Sequence, residues 1–241
     1  MAVNNISLKV NKGEFFAVLG PNAAGKTTTI RMLCGLIKPT SGQITVAGFD
    51  VQAEPLDVRK RLAYVPDFPF LYDKLTAREF FRFTGQLFQM PEEEIIKGAE
   101  ELVRRFHLEE FLNKPIEGLS HGTKQRIAIA SALLHSPEVF VIDEPMVGLD
   151  PQHARVVKDI LRERADKGMT VFLSTHQLSV AEEMADRIGI ISHGRLVAVG
   201  THEELLTQSG SSGALEDTFL NLTSQESTPS PDLSDSDNSQ G

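Results

Sequence analysis

The 241-residue chain has no tryptophan, two tyrosines and a single cysteine, Cys34. One cysteine excludes an intrachain disulfide and fits a reducing cytosol. Long apolar runs are also missing. The longest nearly unbroken stretch, Ile127 to Leu134, is eight residues and includes Ser131. A spanning helix needs about 18 apolar residues, so the expectation is a chain that does not cross a membrane. Met1 to Val10 lacks a basic segment followed by an apolar core and does not read as a secretion signal. Positive charge is scarce: the formal charge is −9, and four acids (Glu226, Asp232, Asp235, Asp237) fall in the last sixteen residues, which hold no Lys or Arg. The remaining −5 on the body gives no overall field to attract nucleic acid, and none is expected as a partner.

With 41% hydrophobic and 24% charged residues, the composition is that of a globular protein with a sizeable core. Ile6, Leu8 and Val10 alternate with Ser7 and Lys9 before an Asn11-Lys12-Gly13 turn, which predicts a hairpin strand. Phe15 to Leu19 is a continuous apolar run, as in a strand buried on both faces, and Thr28 to Leu33 reads as helix. Pro39 to Gly42 is a turn, and Ile44 to Val46 opens a second hairpin around Gly48.

Residues 75 to 119 read as helices only. Thr76 with Glu79 forms a capping box, and Pro91 before Glu92-Glu93-Glu94 starts a helix whose acids suit its dipole. Ile95, Ala99, Leu102, Val103 and Phe106 then recur at helical spacing. Strand and helix alternate afterwards: strand Val139–Ile142, helix Pro151–Arg164, strand Thr170–Ser174, a helix capped by Ser179 with Glu182, strand Ile188–Ile191, a His193-Gly194 turn into Leu196 to Val199, and a helix capped by Thr201 with Glu204. This pattern predicts an α/β fold with a mainly parallel sheet and a helical insertion. From Thr223 onward only Leu233 is apolar, so 223–241 is expected to be a disordered acidic tail.

Two segments carry chemistry. Gly20-Pro21-Asn22-Ala23-Ala24-Gly25-Lys26-Thr27 matches the phosphate-loop pattern G-x-x-x-x-G-K-[ST], with a buried strand before it and a helix beginning at Thr28 after it. Such a loop turns backbone N–H groups toward phosphate oxygens and sets them at a helix N-terminus. Lys26 is expected to reach the β- and γ-phosphates, and the Thr27 hydroxyl to ligate Mg²⁺. Four apolar residues, Val139 to Ile142, end on Asp143 and Glu144. Asp143 is expected beside the loop as a metal partner. Glu144 points elsewhere and can take a proton from an attacking water.

Between these segments lies Leu119-Ser120-His121-Gly122-Thr123-Lys124-Gln125-Arg126, which resembles the signature of the ATP-binding subunits of ABC transporters. Asp143-Glu144-Pro145, Gly148-Leu149-Asp150 and Ser174-Thr175-His176 follow in that family's order. The resemblance covers about residues 2 to 222, and the wording at Tyr64-Val65-Pro66 and 147–150 is most similar to prokaryotic exporters of the ABC-2 type. It implies a P-loop ATPase domain over 1–222, with an antiparallel β subdomain and an inserted helical subdomain at about 75–119. By resemblance, two such subunits close head to tail around ATP and Mg²⁺, each nucleotide lying between one phosphate loop and the other subunit's Ser120 and Gly122. The same likeness makes Glu144 the base, His176 a hydrogen-bond partner of the γ-phosphate, and Asp150 a link across the interface. The subunit would sit on the cytoplasmic face of the cell membrane, driving a separate permease that docks near Phe68, Phe70 and Tyr72.

Departures are specific. Ala23 replaces a usual Gly, His121 the first signature Gly, Thr123 the signature Gln, and Asp67 the Gln of the loop that also serves Mg²⁺. The family's adenine-stacking aromatic belongs to a strand preceding Ile6, and Phe15 and Phe16 are expected to be core instead. A soluble ABC ATPase without a transport role and a non-hydrolysing binding module are the alternatives left open.

Overall fold

The computed structural model describes residues 2–208 and 219; the tail from Thr223 and the 222 boundary lie outside these. Strand β1 (Phe15–Leu19) leads through the phosphate loop into helix α1 (Lys26–Leu33). A small ribbon follows, β2 (Thr45–Val46) with β3 (Phe49–Asp50), antiparallel and joined by Ala47 and Gly48. Both linking residues have positive φ, the geometry that matches a tight turn to strand twist. Helix α2 (Pro55–Arg61) then runs directly into β4 (Leu62–Val65).

The insertion contains helices α3 (Ala77–Leu87) and α4 (Glu92–Arg105) and two 3₁₀ turns, and helix α5 (His121–Leu133) follows it and returns to the sheet. The Thr76 capping box forms as expected: Glu79 N–H donates to Thr76 Oγ1 and Thr76 N–H to Glu79 Oε2. After α5 come β5 (Val139–Asp143), α6 (Pro151–Asp166), β6 (Thr170–Thr175), α7 (Leu178–Met184), β7 (Arg187–Ser192), β8 (Arg195–Gly200) and α8 (His202–Gln208). The main sheet has the order β4-β5-β6-β1-β7-β8, parallel except for the β7–β8 pair.

Side chains alternate across this sheet, and two cores result. Phe15, Ala17 and Leu19 face a large core shared with α3 to α7. Phe16 and Val18 face a smaller one, closed by Ile30 of α1, by Cys34 at that helix's C-terminal cap and by the ribbon. Both Phe15 and Phe16 are fully buried, as expected of core residues.

Two local expectations fail. Ile6, Leu8 and Val10 do pack alternately against the smaller core, but their segment forms no strand. Alternation specifies which side chains turn inward, whereas a strand needs a ladder partner, and among the described residues this segment has none. Ser179 does not cap α7, which starts one residue earlier; the preceding Gln177 N–H is already satisfied by Thr175 Oγ1. The Thr201 box forms as expected.

Candidate functional site

The carboxyl ends of β1, β5 and β6 lie side by side, with Leu19 opposite Thr175 and Asp143 opposite Ser174. In an open α/β sheet this is the edge where ligands bind. The phosphate loop rises from the end of β1. Gly25, at φ +111°, lets it fold back sharply; an added Cβ there would lie 2.6 Å from the Ala2 carbonyl oxygen. Ala23 takes φ +63°, a left-handed conformation that costs an alanine more than a glycine. Lys26 is buried under the loop, its Nζ donating to Gly20 O at 2.6 Å and Pro21 O at 3.2 Å. Desolvation holds the Lys26 ammonium below its usual pKa range, although Glu144 and Asp143 pull the other way. An anion placed over the loop would stabilise the charged form.

Asp143 is buried, and its Oδ2 accepts a hydrogen bond from Thr27 Oγ1 at 2.9 Å. Glu144 turns away from it at φ +48°. Its Oε1 lies 2.8 Å from His176 Nδ1, and its Oε2 accepts from Thr175 Oγ1 at 3.1 Å. The two adjacent carboxylates thus have different partners, as their sequence order suggested. Together with loop residues 21–28 and Asp67, they border an open cleft of about 650 Å³. Phe68 and Phe70, both largely exposed, also line it. Among the described residues no cluster of three His, Cys, Asp or Glu side chains is able to hold a metal by itself. A hydroxyl and a carboxylate in hydrogen-bond contact suit Mg²⁺, which keeps water and takes its other ligands from substrate phosphates.

Ser120 and Gly122 do not border this cleft. Ser120 caps α5, its Oγ accepting from Thr123 N–H at 3.2 Å. Gly122 lies against the loop after β5, where an added Cβ would meet Gly148 O at 2.7 Å. His121 packs beside Gly148 and sets its ring edge-on to Phe68, centroids 6.0 Å apart. Asp150 caps α6: Oδ1 accepts from His153 N–H at 3.0 Å, and Oδ2 lies 2.5 Å from His153 Nδ1. Those bonds hold the Asp150 carboxyl below its usual pKa range. Gly122 thus lies against the loop that leads into Asp150, and Ser120, Gly122 and Asp150 all stay outside the lining of the cleft.

Sequence reasoning gave no role to Thr175 or His153, which orient Glu144 and Asp150. Thr175 was visible only as the residue before His176. The i, i+3 spacing of Asp150 and His153 at a helix start was the available signal for the second pair.

The family model described as "ABC transporter" matches residues 3–147. The chain is 39% identical over 92% of its length to the linearmycin resistance ATP-binding protein LnrL of Bacillus subtilis (strain 168), covering 70% of that protein. It is 34% identical to the ABC transporter ATP-binding protein NatA of the same organism, covering 85% of this chain and 83% of that one. A solved ATP-binding subunit of an ABC transporter superposes with a TM-score of 0.88 at 34% identity, covering 92% and 93% of the two chains. A dimeric ATP-binding cassette bound to ADP and Pi after hydrolysis gives 0.77 at 28% identity, over 83% and 90%.

Proposed function

The chain belongs to the ABC transporter family, and on that premise we propose that it is the ATPase subunit of an exporter, closing with a second nucleotide-binding subunit to drive a separate membrane permease. It binds and hydrolyses ATP, as members of that family do. The observation that carries the reading is one cleft bordered by Lys26, Thr27, Asp143 and Glu144.

In this reading the backbone N–H groups of the loop from Gly20 to Thr28, Pro21 having none, and the Lys26 ammonium hold the β- and γ-phosphates. Lys26 now donates to two loop carbonyls, and phosphate oxygens would replace them as acceptors. Thr27, Asp143 and Asp67 would hold Mg²⁺, which when bound neutralises charge on the transferred phosphoryl group. Glu144 takes the proton of the attacking water. Its two oxygens are held by His176 and Thr175, and each still has a free lone pair to receive that proton. His176 is half exposed and contacts Glu144, which borders the cleft, and this supports its role as a hydrogen-bond partner of the γ-phosphate.

The separation of Ser120 and Gly122 from the cleft supports a composite site. A serine-capped helix start offers N–H groups to an anion, and in one chain no phosphate loop faces it. A second copy turned head to tail would supply one, with Asp150 at the same seam. Phe68, Phe70 and Tyr72 are 76%, 95% and 58% exposed, an apolar surface suited to a helix of the permease. Tyr72 is braced edge-on against Phe83 at 5.1 Å. Among the described residues no helix is long and apolar enough to cross a membrane, so attachment at the cytoplasmic face would run through that contact.

Phosphate release from ATP by the purified chain tests the reading. Lys26→Ala is expected to lose at least about a hundredfold in rate, the scale set by removing one preorganised donor. Turnover at the wild-type rate in that variant would overturn the site assignment.

A further inference from the structure

Ser174 contributes a hydroxyl that none of the interactions above uses. Its side chain is fully buried, and among the described residues its Oγ has no hydrogen-bond partner. The sheet register sets Ser174 between Val18 of β1 and Asp143 of β5. Its side is fixed by alternation. Phe172, two residues earlier, packs in the smaller core with Val18 and Val141, and Asp143 lies two residues beyond Val141. Ser174 and Asp143 therefore project from the same face, the one covered by α1, where Thr27 reaches Asp143 Oδ2. Adjacent strands lie about 4.8 Å apart, so one side-chain rotation brings the hydroxyl to the carboxylate.

We propose that Ser174 is a positioning residue for the metal: its Oγ–H donates to Asp143 Oδ1 when nucleotide and a divalent cation fill the cleft. The inference rests on the reading of Asp143 as a metal partner. Thr27 would ligate the cation through an oxygen lone pair while its O–H still donates to Asp143 Oδ2, which leaves Oδ1 to be fixed by a second donor. Ser174 supplies it from a position water does not reach. A buried hydroxyl without a partner is unfavorable by itself, and donation to the buried acid of the cleft beside it would remove that cost. Partners of this kind typically change metal affinity ten- to a hundredfold, about the scale expected here.

The test measures Mn²⁺ affinity by electron paramagnetic resonance, with the non-hydrolysable analogue adenylyl imidodiphosphate bound, for wild type, Ser174→Ala, Ser174→Cys and Asp143→Asn. Analogue affinity in EDTA and the melting temperature are measured beside it. Ser174→Ala is expected to weaken Mn²⁺ binding about tenfold, with unchanged analogue affinity in EDTA and an unchanged or raised melting temperature. Ser174→Cys, isosteric but a weak donor, is expected to behave likewise and stands in should the alanine variant not fold. Mn²⁺ affinity within about twofold of wild type in the serine variants overturns the proposal. If Asp143→Asn abolishes Mn²⁺ binding in that case, only the Ser174 assignment falls. If Asp143→Asn also binds Mn²⁺ normally, the metal role of Asp143 falls with it.

Discussion

Gly122→Ala puts a methyl group 2.7 Å from the Gly148 carbonyl oxygen, where ordinary contact begins at 3.4 Å. The obstacle is backbone, so the loop carrying Gly148 and Leu149 must retreat by about 0.7 Å, or α5 must tilt away from it. Overpacking of this kind costs about 1–3 kcal/mol. Taking about 2 kcal/mol, the melting temperature of a chain this size drops by about 4–8 °C. The phosphate loop is untouched, so ATP affinity of the single subunit is expected to stay within about twofold of wild type. Closure is not spared, because the shifted loop leads into Asp150 and the methyl shields the helix start meant for the partner's phosphate. Thermal melts, fluorescent-nucleotide titration and size by light scattering read these three quantities separately. A variant that melts with wild type and still pairs on ATP would refute the reasoning, since the contact would then be neither tight nor part of the seam.

Other sites give independent checks. Burial pushes His135, stacked on Phe88, down to about 4 from an ordinary 6.5. As pH falls below 6.5 the unfolded chain takes up a proton the native state refuses, so stability drops by about 3 kcal/mol between pH 6.5 and about 4 and then levels. Denaturant melts of His135→Leu are expected to lack that component, and an unchanged slope would contradict it. Ala23→Gly relieves about 1 kcal/mol of left-handed strain but adds a similar unfolded-state entropy, so the melting temperature moves by no more than about 2 °C and turnover is kept. A tenfold loss of turnover, roughly, would instead give the Ala23 methyl a role at the phosphates.

What the sequence revealed follows the range of the forces involved. The Phe15–Leu19 run, the Thr76–Glu79 box and the phosphate loop are local patterns, and each appears where expected. Helix α2 and strand β4 went unread because Pro55 to Val65 changes from one period to the other without a turn. The Ile6–Val10 pattern foretold burial correctly but not pairing, which depends on a distant partner. The same distinction runs through the site. Residue types identified Lys26, Asp143 and Glu144, but the Glu144–His176 contact exists only because β5 and β6 lie in register. The unpartnered Ser174 hydroxyl and the separation of Ser120 from the cleft are likewise products of topology.

The central claim is that two of these chains complete each other's sites around ATP. The most direct measurement is the molar mass of Glu144→Gln in solution, with and without Mg²⁺ and ATP, beside wild type. Removing the proton acceptor should leave ATP unhydrolysed, so the account predicts ATP-dependent dimers of the variant and monomers of wild type once its ATP is consumed. A variant that binds ATP yet stays monomeric would contradict the composite site and the roles given to Ser120 and Gly122.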